Sequence, residues 1–255
     1  MRIGKVEYEK KDGIVIMTLD DQEKLNALSA ETREGLEKGF NMVDADDEVQ
    51  IAIVTGSGRS FCAGADITGI ELNPSFMKLF MKDMCAKVLR RAETMIKPVI
   101  AAVNGLCLGG GLELAISCDI IIASDKAQFG VPEAKIGLNP GFAIVRLHQM
   151  VGRQKAKELI MIADPIPADE ALRIGLVNQV VPHDKLMDEA KGMAKRIMKN
   201  PPLAIQFAKS SVNREITGED IAYATDAFPL LFSTEDAKEG ISAFLEKRKP
   251  AFRGK

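Results

Sequence analysis

The chain reads as an α/β layer fold with largely parallel strand pairing, followed by a helical C-terminal region. Three observations support this. Short β-rich apolar runs alternate with helical segments through the first half, the pattern that connected parallel strands require. Two of these runs close in glycine-rich turns, "SFCAGAD" after "IAIVTGSGR" and "LGGGLE" after "PVIAAVNG". After about Pro140 the strand signal fades to the single run "LVNQVVP".

Taken in order, "KVEYEKK" and "GIVIMTLD" form a hairpin with Asp12-Gly13 at its turn. Ser29 is placed to cap a helix through "AETREGLEKGFNMVDA". "IAIVTGSG" is a buried strand closed by glycine. "ITGIELNPSFMKLFMKDMCAKVLRRAETMI" is a loop and a long helix. "KPVIAAVNG" is the next strand, the glycine triplet opens another helix, and "DIIIAS" is a strand again. "HDKLMDEAKGMAKRIMKN" and "EDAKEGISAFLEKRK" are helical. A soft boundary near residue 195 divides the chain into an α/β core, 1–195, and a helical region, 196–255.

With 255 residues there is room for one sizeable domain, or one with a small appendage. Net charge is −2 with acids and bases mixed, which argues against a nucleic-acid surface. No run approaches the length of a membrane span, and the N-terminus is too charged for a signal peptide. Cys62, Cys85, Cys107 and Cys118 form no CxxC and have only His148 and His183 for company, so free thiols in a reducing compartment are expected. Cytoplasmic residence is the expectation.

Glycine-rich segments invite phosphate-loop readings, and these fail. "GADITG" has P-loop spacing, but Ile70-Glu71 stands where Lys-Ser/Thr is required, and there is no GxSxG elbow. Two turns at strand ends remain, each able to bring a backbone amide close to a ligand. The second also opens a helix, whose free N–H groups favour developing negative charge. One amide from each turn could meet on a single oxygen, as in an oxyanion hole. Ordinary strand–helix packing is the alternative. Glu113, in the first turn after the triplet, and Glu133, in "FGVPEAKIGLNPG", would each suit a helix start. Together beside such a hole they suggest general acid–base work on a shared water.

At these residues the sequence resembles the crotonase (enoyl-CoA hydratase/isomerase) family, over nearly its whole length. The likeness begins at "EKLNALS" and runs through "TGSGRSFCAGADI", "KPVIAAVNGLCLGGGLELAISCDIIIAS", "FGVPEAKIGLNPG" and "ADEALRIGLVNQVVP" to "STEDAKEGISAFLEKRKPAF". The resemblance implies a spiral of repeated ββα units with a C-terminal helical region that packs between subunits of a homotrimer or a hexamer of paired trimers. It implies an acyl-CoA thioester substrate, with coenzyme A part of that substrate and no separate cofactor or metal. Matched by position, the thioester oxygen would be held by the amides of Ala65 and Gly110, and the catalytic glutamates would be Glu113 and Glu133. Glu113 would be the main base toward water and Glu133 the acid toward C2. Lys24, Leu25 and Ala27 would lie near the nucleotide and Ala63 would meet the adenine. Ala65, Asp66, Ile67 and Thr68 would line the pantetheine path. Leu108, Gly109, Gly110, Pro140, Gly141 and Phe142 would border the thioester and acyl group, and Lys247 would reach a neighbouring subunit's CoA phosphate.

The sequence departs from the family pattern in two places. Thr68 stands where the hydratases commonly carry a basic residue. Phe142, Ala143, Ile144 and Val145 follow Pro140-Gly141 where more glycine and a threonine are typical, so larger side chains are expected to narrow the acyl pocket. Asp66 is a candidate to orient Arg59 or its loop, or to touch substrate; His148 is expected to be a half-buried helix residue. Hydration of a 2-enoyl-CoA is the leading function. Alternatives are a double-bond isomerase or other enolate chemistry on an unusual acyl-CoA, and a non-catalytic CoA-binding module.

Overall fold

The computed structural model describes residues 1–66, 74–214 and 234–255. Ile67 and Thr68 therefore lie outside the described residues. Eleven strands are described, in two sheets. The larger holds β1 (Arg2–Ile3), β2 (Val6–Lys11), β3 (Ile14–Leu19), β4 (Ile51–Gly56), β6 (Val99–Val103), β8 (Ile120–Ser124) and β11 (Gln179–Val181) in that spatial order. β2 and β3 are antiparallel across Asp12-Gly13, both with positive φ, as a two-residue hairpin turn demands. From β3 onward every pairing is parallel.

The second sheet is made of pieces too short to show a period. β5 (Ser60–Cys62), β7 (Leu106–Leu108) and β9 (Gln128–Gly130) pair in parallel, and β10 (Ile166–Pro167) closes the edge antiparallel to β9. Each of β4, β6 and β8 is thus followed at once by a short strand of the other sheet and then by a helix. This is the repeated ββα winding expected from the resemblance.

α1 (Ala30–Ala45) begins where Ser29 Oγ accepts the Thr32 amide at 3.2 Å, and it buries Leu36, Phe40 and Val43 against the core. The long helix expected next is interrupted. α2 (Pro74–Met84) passes through a π-helical turn, Cys85–Leu89, into α3 (Arg90–Thr94). α4 is Gly110–Ser117, α5 is Ala143–Val151 and α6 is Arg153–Ile162. α7 is Ala168–Arg173, and α8 (Leu186–Ile197) lays Leu186, Ala190 and Ala194 on Ile51, Ile53 and Ile100 of the large sheet. The boundary expected near 195 falls inside α8, and secondary structure next breaks at Met198–Pro201. No described helix is long and apolar enough to cross a membrane.

α9 (Pro202–Val212) is tied to the core by one charge. Lys209 Nζ lies 2.8 Å from Asp119 Oδ2 and donates to the carbonyls of Ala92 and Lys97, both at 3.0 Å. Its side chain is 5% exposed, so water cannot replace the partner. Lys209→Met, which strands Asp119, is expected to cost about 3–5 kcal/mol of unfolding free energy. Urea denaturation of the two proteins checks this; a loss under ~1 kcal/mol would mean the pair is effectively solvated.

Candidate active site

The three short parallel strands end side by side, and each delivers a functional segment at its C-terminal end. β5 leads to Ala63-Gly64-Ala65, β7 to the glycine triplet and α4, and β9 to Glu133. Carboxyl ends of adjacent parallel strands are where open α/β folds bind ligands.

Two backbone amides lie near one another there. Leu28 forms an isolated parallel bridge with Ala65 in which Leu28 N donates to Gly64 O at 2.8 Å, so Ala65 N faces away from that strand. Gly110 is the first residue of α4 and has no carbonyl a turn behind it in helical register. A side-chain carbon built on Gly110 would lie only 3.3 Å from Ala65 N, so the two turns are in close apposition. Neither amide has an acceptor among the described residues. Two such donors can hold one developing oxyanion.

The triplet is fixed by its surroundings. Gly109 has φ +52° and ψ −125°, a conformation other L-residues rarely adopt, and a carbon on it would lie 2.8 Å from Glu133 Oε1. A carbon on Gly111 would lie 2.0 Å from the Cys62 carbonyl oxygen, so α4 seats directly on β5. Gly109 N donates to Gly130 O at 2.8 Å, which joins the triplet to the strand that precedes Glu133.

The carboxylates sit in contrasting environments. Glu113 is 2% exposed, and its Oε1 accepts the Phe142 amide at 2.5 Å and the Ala143 amide at 2.9 Å, from the start of α5. Burial raises its pKa above the ordinary glutamate value, while the amides of Ala143, Phe142 and Gly141 pull it back. Glu133 lies in a 3₁₀ turn, Pro132–Ile136, and its buried Oε2 has no hydrogen-bond partner among the described residues. Burial raises its pKa too, its own backbone amide opposes this, and the charge of Glu113 adds to the rise. Both carboxyls are thus pushed toward the neutral form; the backbone amides on Glu113 oppose that push, and Glu133 Oε2 has no such partner among the described residues.

The other sequence candidates distribute unevenly. Leu25, with φ +53°, gives its carbonyl to Ala63 N at 3.0 Å, which lays Leu25 and the buried Ala27 alongside Ala63–Ala65. Lys24 is exposed and pairs with Asp66 Oδ2 at 2.7 Å. Leu108 is partly exposed, Pro140 is buried and Gly141 is exposed, with the Met81 methyl packed against Gly141 beside Glu113. Phe142 and Ala143 are buried, but Ile144 and Val145 are 45% and 51% exposed, so only the first pair faces inward. His148 is exposed rather than half-buried. Lys247 is exposed beyond the helix Glu235–Leu245, and no described hydrogen bond or ion pair joins it to the two turns.

Sequence reading missed Asn26 and Asn104. Both are buried, and both donate to Ser60 O, at 2.8 and 3.2 Å; they also bond Ser57 O and Gly58 O, pinning the loop into β5. The turn-forming "VNG" held the only signal, for Asn104. A groove of about 770 Å³ beside Tyr8, Met42 and Val49 contains none of the residues of the two turns.

A stability consequence follows from Glu133. A carboxyl whose pKa is higher in the folded than in the unfolded chain stabilises the fold below its unfolded value and loses that contribution as pH rises through the folded value. At pH 7.5 the unpartnered carboxylate therefore opposes folding, and Glu133→Gln is expected to melt higher than the parent. Thermal melts at pH 7.5 and pH 4 check this: the advantage should shrink at the lower pH, and a variant that melts lower at pH 7.5 contradicts the reading of Oε2.

The enoyl-CoA hydratase/isomerase family profile matches residues 9–255. The chain is 44% identical over 255 residues to a short-chain-enoyl-CoA hydratase of Clostridium acetobutylicum, covering 98% of this chain and 97% of that protein. It is 43% identical over 257 residues to a crotonyl-CoA hydratase of Syntrophomonas wolfei, covering 99% of each. Its fold superposes on the crystal structure of an enoyl-CoA hydratase from Bacillus anthracis with a TM-score of 0.92 and 31% identity, covering 98% of this chain and all of the other. With this fold, this pair of turns and these relatives, the chain belongs to the enoyl-CoA hydratase/isomerase family.

Proposed function

We propose that this protein hydrates a short 2-enoyl-CoA thioester to the 3-hydroxyacyl-CoA, with Ala65 and Gly110 as oxyanion donors and Glu113 and Glu133 as the acid–base pair. The observation that supports the reading is the close approach of two turns with unpaired amides to two carboxyl groups, one accepting two backbone amides and the other with an unpartnered oxygen. Relatives named for short-chain and crotonyl substrates support the acyl size.

The steps follow from these atoms. The thioester oxygen accepts the amides of Ala65 and Gly110, and each such donor lowers the barrier by about 2.7–4 kcal/mol in measured oxyanion holes. Ionised Glu113 takes a proton from water as the water oxygen bonds to C3. The C2–C3 π electrons move toward the carbonyl, and the negative charge gathers on the held oxygen. Neutral Glu133 then gives its proton to C2. Proton exchange with solvent returns both carboxyls to their starting states. The pair titrates as a unit, so the order of these states belongs to both groups. An isomerase moves one proton between carbons and has no water to activate, which leaves the amide-held Glu113 without a role.

Lys24, Leu25, Ala27 and Ala63 are assigned to the nucleotide end of CoA, as the family resemblance implies, and the hydrogen bond that lays Leu25 beside Ala63 supports this. Self-association into trimers is supported by apolar residues left exposed on adjoining elements: Ile136, Leu138, Val145, Met161 and Ile162. Lys247 acting across subunits depends on that association.

Crotonyl-CoA tests the function. The purified protein should remove the conjugated-thioester absorbance and yield a product heavier by one water. Glu113→Gln and Glu133→Gln should each lower kcat by about 10²–10⁴. Retention of full turnover in either variant would remove that glutamate from the mechanism, and a mass-neutral product would replace hydration by isomerisation.

A further inference from the structure

α5 supplies the amides that hold Glu113, yet little apolar burial holds α5. Only Ala143 and Leu147 on it are buried, and glycines flank it at 141 and 152. These contacts, with the buried Phe142 just before the helix and the half-buried Val151 at its end, lie along one face. They hold α5 down without setting its rotation as closely as two amides on a single oxygen require, and rotation would carry the Phe142 and Ala143 amides off that oxygen.

A buried charge supplies the missing restraint. Glu93 is 7% exposed on α3, which packs against α4, the helix that carries Glu113. Arg146 Nε, one turn along α5 from Phe142, comes within 2.8 Å of Glu93 Oε1, as an ion pair and not an aligned hydrogen bond. Arg146 also lies over the Phe142 ring, 5.9 Å from its centroid. On its own side Glu93 is paired with Arg90, and its backbone carbonyl accepts Asn213 Nδ2, just beyond α9, at 2.8 Å. Both charges are largely withdrawn from water, so screening is weak and geometry decides the strength of the pair.

We propose that Glu93 and Arg146 are positioning residues for Glu113: their ion pair fixes the start of α5 relative to α4, and so holds the two backbone amides on the Glu113 carboxylate. Neither residue touches the reacting atoms. The assignment of catalysis to Glu113 rests on the hydratase reading; the restraint on its carboxyl does not. The other titratable groups that face Glu113 are Glu133 from the 3₁₀ turn and Cys85 from the π turn, and neither is altered by changing Arg146.

The test follows Glu113 directly. Carboxyl ¹³C NMR of the full chain, with the resonance assigned by Glu113→Gln, gives its titration midpoint in the parent, Arg146→Met and Arg146→Lys. Arg146→Met should raise the midpoint by about one pH unit, because loosened amides no longer favour the anion. It should lower kcat on crotonyl-CoA about tenfold with KM within twofold. Arg146→Lys should recover most of both. An unchanged midpoint in folded Arg146→Met overturns the proposal, even if the parent is an active hydratase. A parent inactive on crotonyl-CoA overturns the hydratase reading, while the shifted midpoint still upholds the restraint. Should Arg146→Met fail to fold, the Glu93→Gln/Arg146→Met double variant, which leaves no buried charge at this contact and frees only the exposed Arg90, is measured the same way; failure of both to fold makes the pair purely structural and overturns the positioning role.

Discussion

The registration of three parallel strands, each only three residues long, governs this molecule. β5, β7 and β9 bring Ala65, Gly110 and Glu133 to one edge, and a slip of one residue in any of them would turn a donor or an acid away from its neighbours. Strands this short cannot hold register by their own hydrogen bonds. The large sheet does it for them, since β4, β6 and β8 enter the small sheet through tight connections. Asn26 and Asn104 then clamp the first of those connections onto Ser60. The broad apolar core thus acts as the ruler for a small polar assembly at its edge.

At that edge, burial would push both carboxyls toward the neutral form. The distinction between them comes from hydrogen bonding: one acid receives backbone amides from a helix start and the other has an oxygen with no partner. Placing an unpartnered acid in a nearly dry site costs stability, and the extensive packing of the two sheets is what lets the fold carry that cost. The same packing withdraws Glu113 from water, which makes its bonds to the Phe142 and Ala143 amides stronger than they would be in solution.

Much of the scaffold was legible in the sequence because long elements advertise themselves. The Asp12-Gly13 hairpin, the Ser29-capped helix and the apolar runs that became β4, β6 and β8 each carried a turn signal or a period. Glu113 and the two glycine turns were visible as an acid and small residues in places that ordinary packing would fill otherwise. The small sheet was not legible, since three residues cannot display alternation. Nor was the π turn at Cys85–Leu89, which looks like helix in any pattern of apolar residues. Pairs such as Lys24–Asp66 and Glu93–Arg146 join segments dozens of residues apart, and single-sequence reading has no means of matching one surface-type charge with another at that distance. The resemblance supplied the roles of Ala65 and Gly110; nothing in their side chains could.

The glycine triplet has a consequence for how such a sequence can drift. Gly109 answers to the Glu133 carboxylate, Gly110 to the space over the Ala65 amide, and Gly111 to the Cys62 carbonyl. These neighbours lie on two segments, β5 with its turn and the 3₁₀ turn of Glu133, and two of the three are backbone atoms, so no single side-chain change elsewhere can make room for a larger residue at all three. Descendants that keep the chemistry are confined at this run while a position such as Ile144, exposed on α5, is free to wander. Mutational freedom in this protein is therefore sharply graded over a few tens of residues, from almost none at the strand ends to nearly unrestricted one helix away.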